Sequence, residues 1–454
     1  MRFGAVIVAW CCSAAGAAEA QSLQRTLSSA YGFNAELAAQ RASLAASGEQ
    51  VPAAWANALP TVSATGSYGY DWSDTQLDLA NAGPVIGGEV ELSPYTVGIT
   101  VSQPLFRSGG IAAAIRSARA SLRADLADYY ASEQMVVSAA IDAHLDVRRD
   151  QAFVELRRNN VGVLEERLRN VSAEFEVGTA TRADAELARS ALAEAEATLA
   201  EAERSLAVSR ATYLEVVGEA PDRPERPMID AEQLPANARQ AADLAKREAF
   251  TVLAAGFARE AAVDQVKLER SDLLPRVTLD GTASRGWETG FGVERADAVS
   301  VTLNLTVPLY QAGLERSQLR RSRHLRDQRR FELVAAERSA ETAARSAWFG
   351  LEAARTALAA QGARVAAQEA AVNGLRDERS VGLRTLFELL ESEQELFDAM
   401  ASRLEAERSV DRAIFDLLSA VGRSTFASLA IAESRRTDRA ARIEERYGLD
   451  GDRP

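Results

Sequence analysis

Val97–Gly109 reads V-G-I-T-V-S-Q-P-L-F-R-S-G, and Val301–Gly313 reads V-T-L-N-L-T-V-P-L-Y-Q-A-G. In both stretches apolar and small residues alternate up to a Pro-Leu-aromatic end. A Gly follows, and then a very long Ala- and Arg-rich helical pattern. The copies lie 204 positions apart, and the same offset carries Val177-Gly178 onto Val381-Gly382 and Asp184 onto Glu388. One unit is written twice, and it joins segments of period 2 to segments of period 3.6. The function has to follow from that combination.

Each half holds two such strands. In residues 61–72, Val62, Ala64, Gly66, Tyr68, Tyr70 and Trp72 share one face, and Thr61, Ser63, Thr65, Ser67 and Asp71 the other. A Gly/Pro/Asn/Asp-rich loop is expected over residues 73–94, before Tyr95, Val97, Ile99 and Val101 resume the alternation. In the second half Val277, Leu279, Gly281 and Ala283 alternate with Thr278, Asp280, Thr282 and Ser284, and a loop is expected over 288–298. Val299, Val301, Leu303, Leu305 and Val307 then alternate with Ser300, Thr302, Asn304 and Thr306.

Strands of this length match the roughly 9–11 residues that a tilted strand needs to cross a bilayer. An apolar face backed by a Thr/Ser/Asn face is the pattern of a lipid-facing wall around a wet interior. Tyr68, Tyr70, Trp72, Tyr95 and Trp287 lie near one end and Phe106 and Tyr310 near the other, as aromatic girdles would. The alternative is an antiparallel sheet resting one face on a water-soluble core. Four strands cannot close a barrel, and lipid does not tolerate an open edge, so closure needs several copies. Eight strands fill with side chains whereas twelve leave a channel, which favours three copies.

The helical segments are as distinctive. Residues 111–175 contain no Pro and one Gly, Gly162. A helix of that length runs about 100 Å. Val177-Gly178 ends it, with Gly178 suited to the position just past the last turn. The returning helix, 182–217, carries Ala188, Leu192, Ala195, Leu199, Ala202, Leu206, Ser209 and Tyr213 at heptad spacing, a seam that alternates small with large. A second hairpin spans 311–379 and 385–421, broken at Val381-Gly382. Residues 21–58 are expected to form one amphipathic helix. The domain reading is therefore 21–218 for the first repeat, 219–236 for a proline-rich linker, 237–422 for the second repeat and 423–454 for a polar tail.

Residues 1–20 carry one Arg, an apolar run and an A-x-A end, the features of a secretory signal. The only cysteines, Cys11 and Cys12, fall inside it, and Trp10 stands where a lipoprotein signal needs a small residue. The chain beyond it then has no disulfide and no thiolate chemistry. A net charge of −13 argues against a nucleic-acid partner. Past residue 20 no run reaches the roughly 18 apolar residues of a membrane helix, so any crossing is made by strands. His144 and His324 are isolated, and no H-E-x-x-H, P-loop or G-x-S-x-G motif is present. No enzymatic activity and no cofactor are expected.

The ordered set of motifs resembles the TolC-like outer-membrane efflux proteins. The similarity is carried by A-N-A-L-P-T-V-S-A-T-G-S-Y-G-Y from Ala56, by the Q-P-L-F and V-P-L-Y strand ends, by F-E-V-G-T-A-T-R-A-D from Phe175 and by R-S-V-G-L-R-T-L-F-E-L-L-E-S from Arg379. V-P-A-A-W at Val51 and L-L-S-A-V-G-R at Leu417 look most like the branch serving type I secretion. The resemblance implies a mainly α fold with a membrane β-barrel: long helical hairpins forming a coiled-coil tunnel, and four transmembrane strands per chain closing as a 12-stranded barrel in a homotrimer. It implies a location in the outer membrane of a Gram-negative bacterium, with a helical extension into the periplasm. It also implies outer-membrane lipid, a periplasmic adaptor (a membrane fusion protein) and an inner-membrane ABC or proton-driven pump as partners.

Residue by residue, Glu388 and Glu391 match the acids that ring the periplasmic entrance of the family's tunnel. Arg384 matches its gate arginine and Asp184 the inter-helix partner of that arginine. Arg379 stands where the best-known member has a tyrosine, which implies a rearranged gate. Crowding of like charges in the ring is expected to raise some carboxyl pKa values. The residues alone also allow a local reading: Thr385-x-x-Glu388 and Thr181-x-x-Asp184 are capping boxes, and Arg384 a solvated loop residue. The rival function is a soluble secreted coiled-coil scaffold or a periplasmic adaptor subunit.

Overall fold

The computed structural model describes residues 22–77, 86–227, 234–290, 292–426 and 428–429. The signal-like stretch, residues 228–233 of the linker and nearly all of the tail lie outside the described residues. Contacts divide the chain into two compact units. One comprises residues 1–41, 129–252 and 337–454, the other residues 42–128 and 253–336.

The second unit contains the sheet. Strands β1 (Thr61–Tyr68), β4 (Tyr95–Phe106), β5 (Arg276–Gly290) and β6 (Val293–Thr306) pair antiparallel in that order. The pairing sorts the sequence into rows. Val62, Val101, Gly281 and Val301 stand side by side, and the next row is Ser63, Thr100, Thr282 and Ser300. The polar rows bond to one another: Thr282 Oγ1 and Ser300 Oγ are 2.7 Å apart, and Asp280 accepts from Ser102 at 2.5 Å and Asn304 at 2.6 Å. The apolar rows stay uncovered, with Val299 81% and Val301 72% exposed. Free valines at 25 cal/mol per Å² are too costly to leave in water along a whole face. This sheet therefore does not rest on a core within the chain. β1 and β6 are its open edges.

Three expectations about the strands need correction. Residues 61–72 are not one strand, because β1 stops at Tyr68 and Trp72 belongs to a separate ribbon. That ribbon pairs β2 (Asp71–Leu77) with β3 (Ile86–Leu92), so the expected 73–94 loop contains strand structure. Gly69 donates to the Pro94 carbonyl at 2.9 Å, the point where the main sheet gives way to the ribbon. The expected 288–298 loop is mostly strand, since β5 runs to Gly290 and pairs there with Val293, the first residue of β6.

The amphipathic 21–58 segment is three helices: α1 (Leu23–Phe33), α2 (Ala35–Gly48) and α3 (Gln50–Ala56). Asn34 interrupts it in an extended conformation, ψ 114°, and its Oδ1 accepts from the Leu37 N–H at 2.9 Å to start α2. The second repeat breaks in the same way at Ala249, ψ 127°, between α6 (Ala238–Glu248) and α7 (Phe250–Ser271). The long hairpins follow the sequence closely: α4 is Gly110–Glu176, α5 Arg182–Val217, α8 Leu314–Ser380 and α9 Leu386–Ala420. Among the described residues no helix is long and apolar enough to cross a membrane.

His144 belongs to the packing of the helical unit. The Glu225 carbonyl, 2.8 Å from Nε2, can only accept, so Nε2 carries the proton. Nδ1 then accepts from the Thr26 hydroxyl at 3.0 Å, and Thr26 accepts from the Tyr213 hydroxyl at 2.9 Å. Burial, with Arg148 adding a smaller push, holds the imidazole below its ordinary 6.5. A depressed histidine stabilises the fold above its unfolded pKa and loses that contribution as pH falls through it. Urea midpoints of the native protein should therefore drop on going from about pH 7.5 to about pH 5.5. The drop should be smaller in His144→Gln; equal slopes would remove His144 as the cause.

Candidate functional site

The sequence-derived site residues gather at the two hairpin turns, in the helical unit. Both turns are built alike. Gly178, at φ +80°, donates to the Phe175 carbonyl at 3.0 Å, and Thr179 to the Glu174 carbonyl at 2.9 Å. Gly382, at φ +78°, donates to Arg379 at 2.9 Å, and Leu383 to Glu378 at 3.0 Å. A side chain at either glycine would be strained in this left-handed conformation. Thr181 and Thr385 then cap α5 and α9. In the second turn the Glu388 N–H donates to Thr385 Oγ1 at 3.3 Å, while the Thr385 N–H donates to Glu388 Oε2 at 2.9 Å. Asp184 and Thr181 repeat this at 3.2 and 3.0 Å. Below the turns, Val171, Ala185 and Leu386 form a small shared core from α4, α5 and α9. Val177, Val381, Leu383 and Phe387 remain exposed.

The charges have definite partners. Arg384 donates to Glu378 at 2.7 Å and to Glu388 at 3.1 Å, so it is tied within its own hairpin. No bond joins it to Asp184 within the chain. Arg379 instead crosses from α8 to Glu174 on α4 at 3.5 Å. The Thr385 N–H, its hydroxyl and Arg384 together hold the Glu388 carboxyl below the usual range. The Thr181 hydroxyl and N–H do the same for Asp184, with help from the Arg379 charge. Inside one chain, then, the effect at Glu388 opposes the crowding expected from sequence. Glu391 is exposed on the same helix, one turn on.

Sequence reasoning missed a line of ion pairs between the two hairpins, on α4 and α9. Asp142 pairs with Arg412, Asp146 with Arg408 at 2.6 Å, Arg149 with Glu405 at 3.4 Å and Arg157 with Asp398 at 3.4 Å. Arg167 reaches Glu393 at 2.9 Å, and Arg376 from α8 reaches the same carboxylate at 2.8 Å. The steps along α4 and α9 run in opposite directions, a sign visible only once the helices are set antiparallel. The first four pairs are half-buried with solvent still reaching both partners, and each is worth about 1 kcal/mol or less. Glu393, at 3% exposure, is different.

The family model for outer membrane efflux proteins matches residues 26–219 and 241–423. This chain belongs to the outer membrane efflux protein family. The efflux protein is 30% identical over 418 residues to the outer membrane efflux protein BepC of Brucella suis, covering 91% of this chain and 88% of BepC. It is 24% identical over 384 residues to the outer membrane protein TolC of Vibrio cholerae, covering 80% of this chain and 82% of TolC. The crystal structure of VceC, also from V. cholerae, superposes with a TM-score of 0.73 at 18% identity, over 88% of this chain and 96% of that one. The efflux protein is therefore an outer-membrane channel of the kind used in tripartite systems, in a family of channels rather than enzymes. Family membership sets aside the soluble scaffold and the adaptor subunit.

Proposed function

We infer that this channel is the passive exit duct of a tripartite export system. Three copies close one 12-stranded barrel in the outer membrane, and their helical hairpins line a periplasmic tunnel that meets an adaptor and an inner-membrane pump. The work comes from ATP hydrolysis or proton flux in the pump. The observation that carries this reading is the sheet, with its uncovered valine and leucine rows, hydrogen-bonded polar rows and two open edges. The motifs at Val51 and Leu417 favour type I secretion of protein cargo over efflux of small molecules.

At the tunnel entrance Glu388 and Glu391 serve as a selectivity ring: three copies bring six carboxylates to one opening, which draws cations and repels anions. The depressed pKa of Glu388 keeps its charge present well into acid. Arg384, Arg379 and Asp184 are the gate candidates. Arg379 acts between the hairpins through Glu174, and Arg384 braces the turn that presents Glu388. In planar bilayers the purified protein should conduct, with cations preferred. Glu388→Gln with Glu391→Gln should lower the cation-to-anion permeability ratio severalfold at low salt, where screening is weak. An unchanged ratio would leave these residues only their structural roles. Absence of conductance would overturn the duct.

A further inference from the structure

α8 begins with a local excess of positive charge. Residues 314–330 hold seven arginines against two acids, in a chain whose net charge is −13. Arg316, Arg320 and Arg323 follow one another at steps of four and three, so they share one face of the helix. All three are exposed, and among the described residues none of them has a hydrogen bond or an ion pair. The arginines that follow are occupied: Arg326 holds Asp327 at 2.6 Å, and Arg329 holds Glu332 at 2.8 Å. In the first repeat the counterpart of Arg320, at the offset of 204, is Arg116, and Asp264 on α7 neutralises it at 3.2 Å. The stripe on α8 has no such partner.

The surrounding residues fix where this face points. Leu319 and Ser322 are buried and mark the packed side of α8. Gln318, Arg321, Leu325 and Arg329 line a cleft that α4 and α7 line as well. A cleft shared by three helices in a row lies on the concave side of that row. At 3.6 residues per turn the stripe stands roughly half a turn away, on the convex side. In the duct inferred above the concave side is the tunnel, so the stripe faces outward. Its height follows from the chain: β6 ends at Thr306, Tyr310 is the girdle aromatic, and α8 starts at Leu314. Arg316 to Arg323 covers roughly 10 Å along the helix. The headgroup layer is about 5–8 Å deep on each side of the hydrocarbon, within reach of long guanidinium arms from the first turns.

We propose that Arg316, Arg320 and Arg323 form a binding surface for anionic phospholipid headgroups in the leaflet that faces the periplasm. The inference rests on the outer-membrane duct above. A guanidinium meets a phosphodiester through two parallel N–H···O bonds, and an anionic headgroup brings the negative charge that this face lacks. A zwitterionic headgroup carries the same phosphate beside a cation of its own. The surface therefore selects lipids by net charge.

The test is native mass spectrometry of the full chain released from vesicles of equal parts phosphatidylglycerol and phosphatidylcholine. The particle should retain about tenfold more phosphatidylglycerol at low salt, and the ratio should fall toward one as ionic strength rises. Arg316→Gln, Arg320→Gln and Arg323→Gln combined should bring it to about twofold or less. Arg321→Gln with Arg329→Gln, on the cleft side, should leave it close to that of the unaltered protein. Each single substitution in the stripe should lower the ratio about twofold with the number of chains per particle unchanged, a readout that survives if the triple variant misassembles. Equal retention of the two lipids by the unaltered protein overturns the surface, as does a triple variant that keeps the preference. Equal losses in the stripe and cleft variants overturn the face. Single stripe variants that shed chains while keeping the lipid ratio assign these arginines to contact between copies, and that also overturns the proposal. Unaltered protein that emerges as single chains contradicts the duct instead, and the same spectrum shows it.

Discussion

Replacing Glu393 with alanine is expected to weaken the helical unit by about 3 kcal/mol, the lower end of the range for breaking a buried ion pair from one side. Its carboxylate is 3% exposed and binds two guanidiniums, Arg167 at 2.9 Å from the first hairpin and Arg376 at 2.8 Å from the second. Truncation leaves Arg167, which is 22% exposed, without its counter-charge among packed helices. Arg376 is 47% exposed and can turn to water, so Arg376→Ala should cost about 1 kcal/mol or less. Denaturant unfolding in detergent, followed by helical circular dichroism, reads both values. Equal and small effects would mean that the carboxylate is better hydrated than the fold shows. Because Glu393 ties one hairpin to the other, the alanine variant should also raise the resting conductance of the channel.

Leu303→Arg should destabilise the assembled protein in a bilayer by about 2–4 kcal/mol, while Asn304→Arg should change it little. The two residues are adjacent in β6, and both are exposed within a single chain. Only their faces differ: Leu303 stands opposite Leu279 and Leu305 opposite Val277 in the next apolar row, whereas Asn304 bonds Asp280 among the polar rows. A sheet facing water on both sides would register each arginine at less than about 0.5 kcal/mol. The asymmetry, measured by unfolding from lipid vesicles, therefore separates a lipid wall from a wet surface.

Much of this architecture was legible in the sequence because its signals are periodic and repeated. Strand alternation, Pro-free helical runs and the paired Val-Gly turns each specify local structure without reference to the rest of the chain. Departures came where local patterns are ambiguous. Asn34 breaks the expected 21–58 helix through a single extended residue that leaves the apolar spacing almost unaltered. Gly69 and Tyr70 continue a period-2 pattern across the point where the strand changes partner, so Trp72 could not be told apart from a residue of β1. The capping boxes at Asp184 and Glu388 were visible as spacing. The α4–α9 ion pairs were not, since charged residues occur on every turn of both helices and only the antiparallel register selects the ones that meet. Glu378 was missed as the partner of Arg384 for a similar reason: the turn that folds them together lies between them.

A sheet with two open edges and an uncovered apolar face has no stable place in lipid on its own. The mass of the particle extracted from outer membranes in mild detergent, read by native mass spectrometry, tests this most directly. Three chains per particle is the result required here; a monodisperse single chain would contradict it.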